Sequence, residues 1–285
     1  MNSIKKMMLS GALGCLISGM AYADGSSPQP VKPYWQDIQV VAVNKEKPRS
    51  SFMSYADRET ALTSRFEKSP YYFLLNGTWK FFFVDSYKDL PQNITDPSVN
   101  TSSWDDITVP GNWEVQGHGV AIYTNHGYEF KPRNPQPPLL PEANPVGVYR
   151  RDIEIPASWD NRDIYLHIGG AKSGLYVYLN GKEVGYSEDS KNPAEFLINK
   201  YLQPGKNVLT LKIFRWSTGS YLECQDFWRM SGIERDVFLW SQPKASIQDF
   251  RVVSTLDDTY TNGIFKLAVD LKNHTQETKN LNVGY

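Results

Sequence analysis

Along most of the chain, apolar and polar side chains alternate with a period of two, the spacing that puts every second side chain on one face of an extended strand. In residues 207–216, Leu209, Leu211 and Ile213 face one way while Thr210 and Lys212 face the other. Residues 264–272 repeat the scheme with Phe265, Leu267, Val269 and Leu271 expected inward. Both patterns predict half-buried strands. Ile164, Leu166 and Ile168 share one side of a third segment, and Leu175, Val177 and Leu179 share one side of a fourth. Asn180-Gly181 follows directly. That pair tolerates the positive φ angles of a two-residue turn, so Leu175 to Ser187 predicts a hairpin. A short helix is expected only between Glu59 and Lys68. Many short strands with little helix predict an all-β protein built as an antiparallel β-sandwich. No internal repeat is visible.

Punctuation divides the chain. The stretch from Lys131 to Pro145 holds six prolines (Pro132, Pro135, Pro137, Pro138, Pro141 and Pro145), which donate no ladder hydrogen bonds, so it predicts an ordered surface loop. A boundary is expected at Ser241-Gln242-Pro243, because a new alternating pattern starts at Ile247. This separates a sandwich at 34–243 from the start of a second, incomplete one at 244–285. Residues 1–23 read as a cleaved signal peptide, with Lys5 and Lys6, an apolar run from Met7 to Met20, and Ala21 and Ala23 as the small residues. Residues 24–33 read as a flexible leader. A periplasmic or secreted location is therefore expected. Cys15 raises a lipoprotein alternative, weakened because Ala12 stands three residues before it where such signals prefer leucine. The apolar run is shorter than the roughly 20 residues of a membrane span, and no later stretch qualifies.

Removing the signal peptide takes Cys15 and both lysines, leaving Cys224 as the sole cysteine and 28 basic groups against 31 acidic ones. No internal disulfide can then form, so stability has to come from a core, for which about 260 residues suffice. There is no basic stripe to neutralise phosphates and no lysine-rich amphipathic helix, which argues against nucleic acid or a membrane surface and favours neutral ligands.

One segment, Arg215 to Val237, packs aromatics, carboxylates and arginines too densely for a plain core strand. Trp216, Tyr221, Phe227 and Trp228 offer flat faces for the C–H patches of a pyranose, and Glu223, Gln225, Asp226 and Arg229 offer partners for its hydroxyls. Glu223 and Asp226 do not suit a catalytic couple. On a strand, residues three apart point to opposite faces about 10 Å apart, whereas a retaining glycosidase needs carboxyls about 5 to 5.5 Å apart. His118, His126, His167 and His274 are scattered without metal-ligand spacing, and no phosphate-cradling glycine loop is present.

The segment resembles the sugar-binding domain of family 2 glycoside hydrolases, on the β-galactosidase branch. Collinear motifs extend the resemblance over nearly the whole chain after the signal. They are Leu75-Asn76-Gly77-Thr78-Trp79-Lys80-Phe81, Val109-Pro110-Gly111-Asn112-Trp113, Ile122-Tyr123-Thr124-Asn125, the run Asn144 to Arg151, Asn180-Gly181, and Val184-Gly185-Tyr186. Phe227-Trp228-Arg229-Met230-Ser231-Gly232 stands where β-glucuronidases tend to have Phe-Asn-Tyr-Ala-Gly.

The resemblance implies a jelly-roll domain, then an immunoglobulin-like sandwich, then a catalytic (β/α)8 barrel, of which this chain holds the first and the start of the second. It implies that Asp226 and Asn125 contact substrate, with Asp226 also helping to hold sodium, while Trp228 and Tyr123 are candidates for stacking on sugar. The plainer readings are an ion pair of Asp226 with Arg229 or Arg235, a turn role for Asn125, and core packing for Tyr123, Trp216 and Trp228. Thr218 stands where some relatives carry a magnesium-binding aspartate, and magnesium is expected only with the barrel. The family's acid/base glutamate follows an asparagine, and no Asn-Glu dipeptide occurs here. The expectation is the recognition part of a retaining enzyme for terminal β-D-galactosides, inactive alone and able to form homo-oligomers when intact. The alternative is a stand-alone carbohydrate-binding module, and a third reading is a truncated product with open strand edges.

Overall fold

A computed structural model describes residues 32–130 and 134–284. The expected signal peptide, nearly all of the leader and the head of the proline-rich stretch lie outside the described residues.

The first strands are β1 (Ala42–Val43), β2 (Tyr72–Leu74), β3 (Gly77–Val84), β4 (Asp105–Val109), β5 (Gly111–Asn112), β6 (Ile122–Thr124), β7 (Val146–Glu154), β8 (Arg162–Ile168) and β9 (Ala171–Lys172). They are followed by β10 (Gly174–Leu179), β11 (Lys182–Ser187), β12 (Ala194–Leu197), β13 (Lys206–Phe214), β14 (Phe227–Arg229), β15 (Gly232–Ile233), β16 (Val237–Pro243), β17 (Ala245–Leu256) and β18 (Gly263–Asn273). Among the described residues, helix is confined to α1 (Arg58–Leu62) and short 3-10 turns, one of them at Phe66–Lys68. Asp57 starts α1 by accepting from the Thr60 N–H at 2.7 Å.

The protein is an all-β antiparallel sandwich. One sheet has the order β1-β11-β10-β13-β7-β3-β4 and the other β12-β8-β16-β2. Their facing side chains follow the alternation read from the sequence. Leu209, Leu211 and Ile213 join Leu175, Val177 and Leu179 from one sheet, and meet Ile164, Leu166, Ile168, Val237 and Leu239 from the other. All are buried, and each such side chain is worth about 1.5 to 3 kcal/mol of transfer free energy, which makes this seam the main source of cohesion. The hairpin forms as expected. β10 and β11 are joined by Asn180 (φ 54°) and Gly181 (φ 78°), and the Asn180 amide is fixed by the Asn207 Oδ1 at 2.8 Å.

The expectation of half-buried strands fails for β13, which is covered on both faces. Thr210 is buried and accepts from the Arg150 Nε at 3.2 Å, and the Lys212 ammonium lies over the Tyr176 ring at 4.8 Å. The cause is a second apolar layer formed by Trp35, Ile94 and Trp104 against Val146, Val148, Tyr176, Tyr186 and Phe214. A period-two count registers the strand but not the loops laid across its outer face.

The inward expectation for Phe265, Leu267, Val269 and Leu271 is met only in part, with Leu267 and Val269 half-buried and the other two exposed. β17 and β18 form a separate two-stranded ribbon with Phe250 opposite Val269 and Val252 opposite Leu267. Phe265 is 51% exposed and Leu271 49%. The apolar face exists, but the described residues place no second sheet over it. Among the described prolines of the 131–145 stretch none sits in a strand, and β7 begins directly after Pro145.

Candidate sugar-binding site

β6 and β14 pair as a small ribbon of their own, with Trp228 opposite Tyr123 and Phe227 opposite Thr124. Aromatic and β-branched residues fill these positions, the types that favour a pleated surface and gain from cross-strand contact. The Tyr123 and Trp228 rings lie 5.7 Å apart at 57°, and both are more than half exposed. The core-packing reading thus does not describe either ring.

Asp226 lies in the bend just before β14. Its Oδ1 accepts from the Tyr123 hydroxyl at 2.7 Å, across 103 residues of sequence. That hydrogen bond and the carboxylate charge hold the Tyr123 phenol above its ordinary pKa. Asp226 is exposed and forms no ion pair with either arginine proposed for it. Arg229 instead donates Nη1 to the Glu223 carbonyl at 2.8 Å, and Arg235 donates to the Lys191 carbonyl at 2.6 Å. One oxygen of Asp226 is held by the phenol, and the other has no partner among the described residues.

Asn125 directly follows β6 and is exposed, its Oδ1 2.8 Å from the His126 Nδ1 in a bend that Gly127 (φ 76°) completes. The turn role and an available amide coexist there. Tyr123, Asn125, Asp226 and Trp228 are all carried on this one ribbon and its flanking bends.

Other residues of the Arg215–Val237 run do not join them. Trp216 is buried and meets Phe130 edge-on at 5.7 Å, so it is a wall rather than a ligand platform. Glu223 is not on a strand; its carboxylate accepts from the Ser190 N–H at 3.0 Å and hydroxyl at 2.6 Å, which occupies it with a loop contact. Thr218 donates to Glu188 at 2.7 Å. Burial pushes the Cys224 thiol up.

Beneath the ribbon lies a group of charges that only the fold brings together. Lys172 stands 3.2 Å from Glu129, and Arg215 lies 3.7 Å from Glu114 and 3.9 Å from Glu129, all nearly inaccessible to solvent. Burial pushes the Glu114 carboxyl up, offset in part by the Ser231 N–H and Arg215. These side chains come from separate segments, so no spacing rule links them. Among the described residues, no group of three His, Cys, Asp or Glu side chains is arranged to hold a metal ion.

Residues 73–243 match the profile of the glycosyl hydrolases family 2 sugar binding domain. The chain belongs to glycosyl hydrolase family 2. It is 40% identical over 245 residues to a β-galactosidase of Priestia megaterium, covering 85% of this chain and 24% of the relative. It is 37% identical over 243 residues to a β-galactosidase of Psychromonas ingrahamii, covering 85% of this chain and 23% of the relative. The chain thus spans about a quarter of the length of these family 2 relatives. Two solved structures share its fold. A β-glucuronidase from an uncultured Clostridium gives a TM-score of 0.52 at 23% identity, covering 70% of this chain and 33% of that one. A β-glycosidase from Bacteroides vulgatus gives 0.53 at 22% identity, covering 72% and 25%.

Proposed function

We propose that this chain is the sugar-recognising N-terminal part of a β-galactosidase, exported to the periplasm or cell exterior, that supplies Asp226 and Asn125 as hydroxyl partners and Trp228 and Tyr123 as stacking surface. The observation that carries this reading is the state of Asp226. A carboxylate with two arginines close by in sequence is paired with neither, sits exposed at the lip of an aromatic ribbon, and keeps one oxygen for a ligand. Support for galactoside as the substrate class comes from the β-galactosidase relatives. Contacts to a hydroxyl remote from the reacting carbon orient the substrate, so they affect turnover as well as binding. Bond cleavage belongs to the barrel of the intact enzyme. A hard cation takes roughly six oxygen ligands, so the single free oxygen of Asp226 would not hold sodium without donors from elsewhere.

The test is a chimaera in which this chain replaces the matching quarter of the Priestia megaterium relative. Turnover of a chromogenic galactoside is expected, with D226N lowering kcat/KM by about 10- to 100-fold, the worth of a charge-assisted hydrogen bond, and N125A by about 2- to 10-fold, the worth of a neutral one. Unchanged kcat/KM in D226N would refute the role of Asp226. The half-exposed aromatic pair also favours a second reading, a stand-alone binding module. Calorimetry of the 285-residue chain with galactose separates the two, because only the module binds at micromolar to millimolar concentration without a partner.

A further inference from the structure

Two buried arginines hold the ribbon from below. Arg215 directs one nitrogen, Nη2, to the Val120 carbonyl at 2.9 Å and to the Arg229 carbonyl at 3.2 Å. Val120 leads into β6 and Arg229 ends β14, so one guanidinium grips the base of both strands. Arg229, itself 1% exposed, turns back and donates Nη1 to the Glu223 carbonyl at 2.8 Å. That closes the segment from Glu223 to Arg229 into a loop with Asp226 at its outer bend. The start of the loop is anchored separately through the Glu223 carboxylate and Ser190.

We propose that Arg215 and Arg229 are positioning residues that fix the Asp226 carboxylate against the Tyr123 hydroxyl, and hence set the geometry in which the ribbon meets a sugar. The second half of this statement rests on the sugar-binding reading above. The physical requirement is a fork. Arg215 must reach the Val120 and Arg229 carbonyls through Nη2, which also lies 3.9 Å from Glu129, while Nη1 faces Glu114, and Arg229 must reach back along its own chain while buried. A lysine ammonium is a point charge without that planar fork, so it cannot serve the two carbonyls through one nitrogen and face Glu114 through another. Charge alone is therefore not sufficient.

The test follows Tyr123 directly, without sugar, by NMR of the 285-residue chain labelled at tyrosine, its resonance identified by its loss in Y123F. In the wild type this phenol titrates above free tyrosine because of Asp226. R229M and R229K are expected to bring the midpoint down to that of D226N while circular dichroism stays unchanged, and R215K to do the same. L239V, which loosens the core between the two main sheets, is expected to leave it unmoved. A folded R229M with a wild-type Tyr123 midpoint overturns the proposal. Should R229M not fold, R229K decides by the same criterion. A midpoint that falls equally in L239V also overturns it, since the effect is then general loosening. In the chimaera, R229K is expected to raise KM about 10-fold. A wild-type chimaera without turnover would sink the sugar reading and leave the tyrosine titration to judge the positioning role.

Discussion

Glu195 on β12 is the residue whose removal should cost the sandwich most. Its carboxylate accepts from the Arg49 Nε and Nη2 at 2.9 Å each, from the His167 Nδ1 at 2.8 Å and from the Trp240 Nε1 at 3.1 Å. It thereby joins β12, β8 and β16 to the irregular strap that carries Arg49, and the same strap binds β17 through the Ser50 N–H and Asp249 at 2.8 Å. Burial pushes the Glu195 carboxyl up, but the His167 hydrogen bond and the Arg49 charge more than offset this, and the group is held below the usual glutamate value. Truncation to alanine strands four donors on three side chains, one of them a nearly buried guanidinium, and breaking such a pair costs about 3 to 5 kcal/mol. At about 2 to 4 °C per kcal/mol for a chain of this size, E195A should lower Tm by about 10 °C. The sign of the pH dependence follows from the depressed value. The contribution is fully present above the unfolded glutamate pKa of about 4.3 and is lost as pH falls through the lower folded value, so the gap between wild type and E195A should close below about pH 4. Differential scanning calorimetry from pH 7 downward measures both. A Tm loss under about 2 °C at pH 7, or a gap that persists undiminished in acid, would refute the reasoning.

Two other predictions concern the sheets. G147A should cost about 1 to 3 kcal/mol by overpacking, because an added Cβ would lie 2.6 Å from the Trp113 ring and 2.8 Å from Phe81, and a urea midpoint equal to wild type would count against it. Burial pushes Lys212 down to about 8 from 10.5. Between those values the unfolded chain binds more protons, so wild type should gain stability relative to K212M as pH rises from 8 to about 10, by about 1 to 2 kcal/mol given partial exposure. Melts of both proteins across that range check it, and a parallel course would contradict it.

What the sequence made legible depended on how local the cause was. The β10–β11 hairpin was readable because Asn180-Gly181 carries its own turn chemistry. The inward set Leu209, Leu211 and Ile213 was readable because one strand's alternation suffices to define it. The covering of Thr210 and Lys212 was not, since Trp35 and Trp104 reach that face from distant loops without a strand pattern. The exposure of Phe265 was equally hidden, because alternation shows that a face is apolar and says nothing of what packs on it. At the site, Asp226 and Trp228 stood out by residue type, and Asn125 and Tyr123 entered through the family resemblance. The Tyr123–Asp226 hydrogen bond and the Arg215 grip join segments about a hundred residues apart, and only the folded topology brings those together.

The pairing of β2 with β16 has a temporal consequence. Tyr72 and Phe73 find their partners in Trp240 and Leu239. Those arrive only some 170 residues later, about 10 to 30 s at ordinary rates of ribosomal synthesis. Through that interval Leu75 and Trp79, which end fully enclosed, lack Val237 and Leu239 of the same core cluster. The nascent chain must pass this delay with sticky surface uncovered, so yield in a cell should respond to translation speed and to chaperone supply more sharply than the finished protein's resistance to heat would suggest.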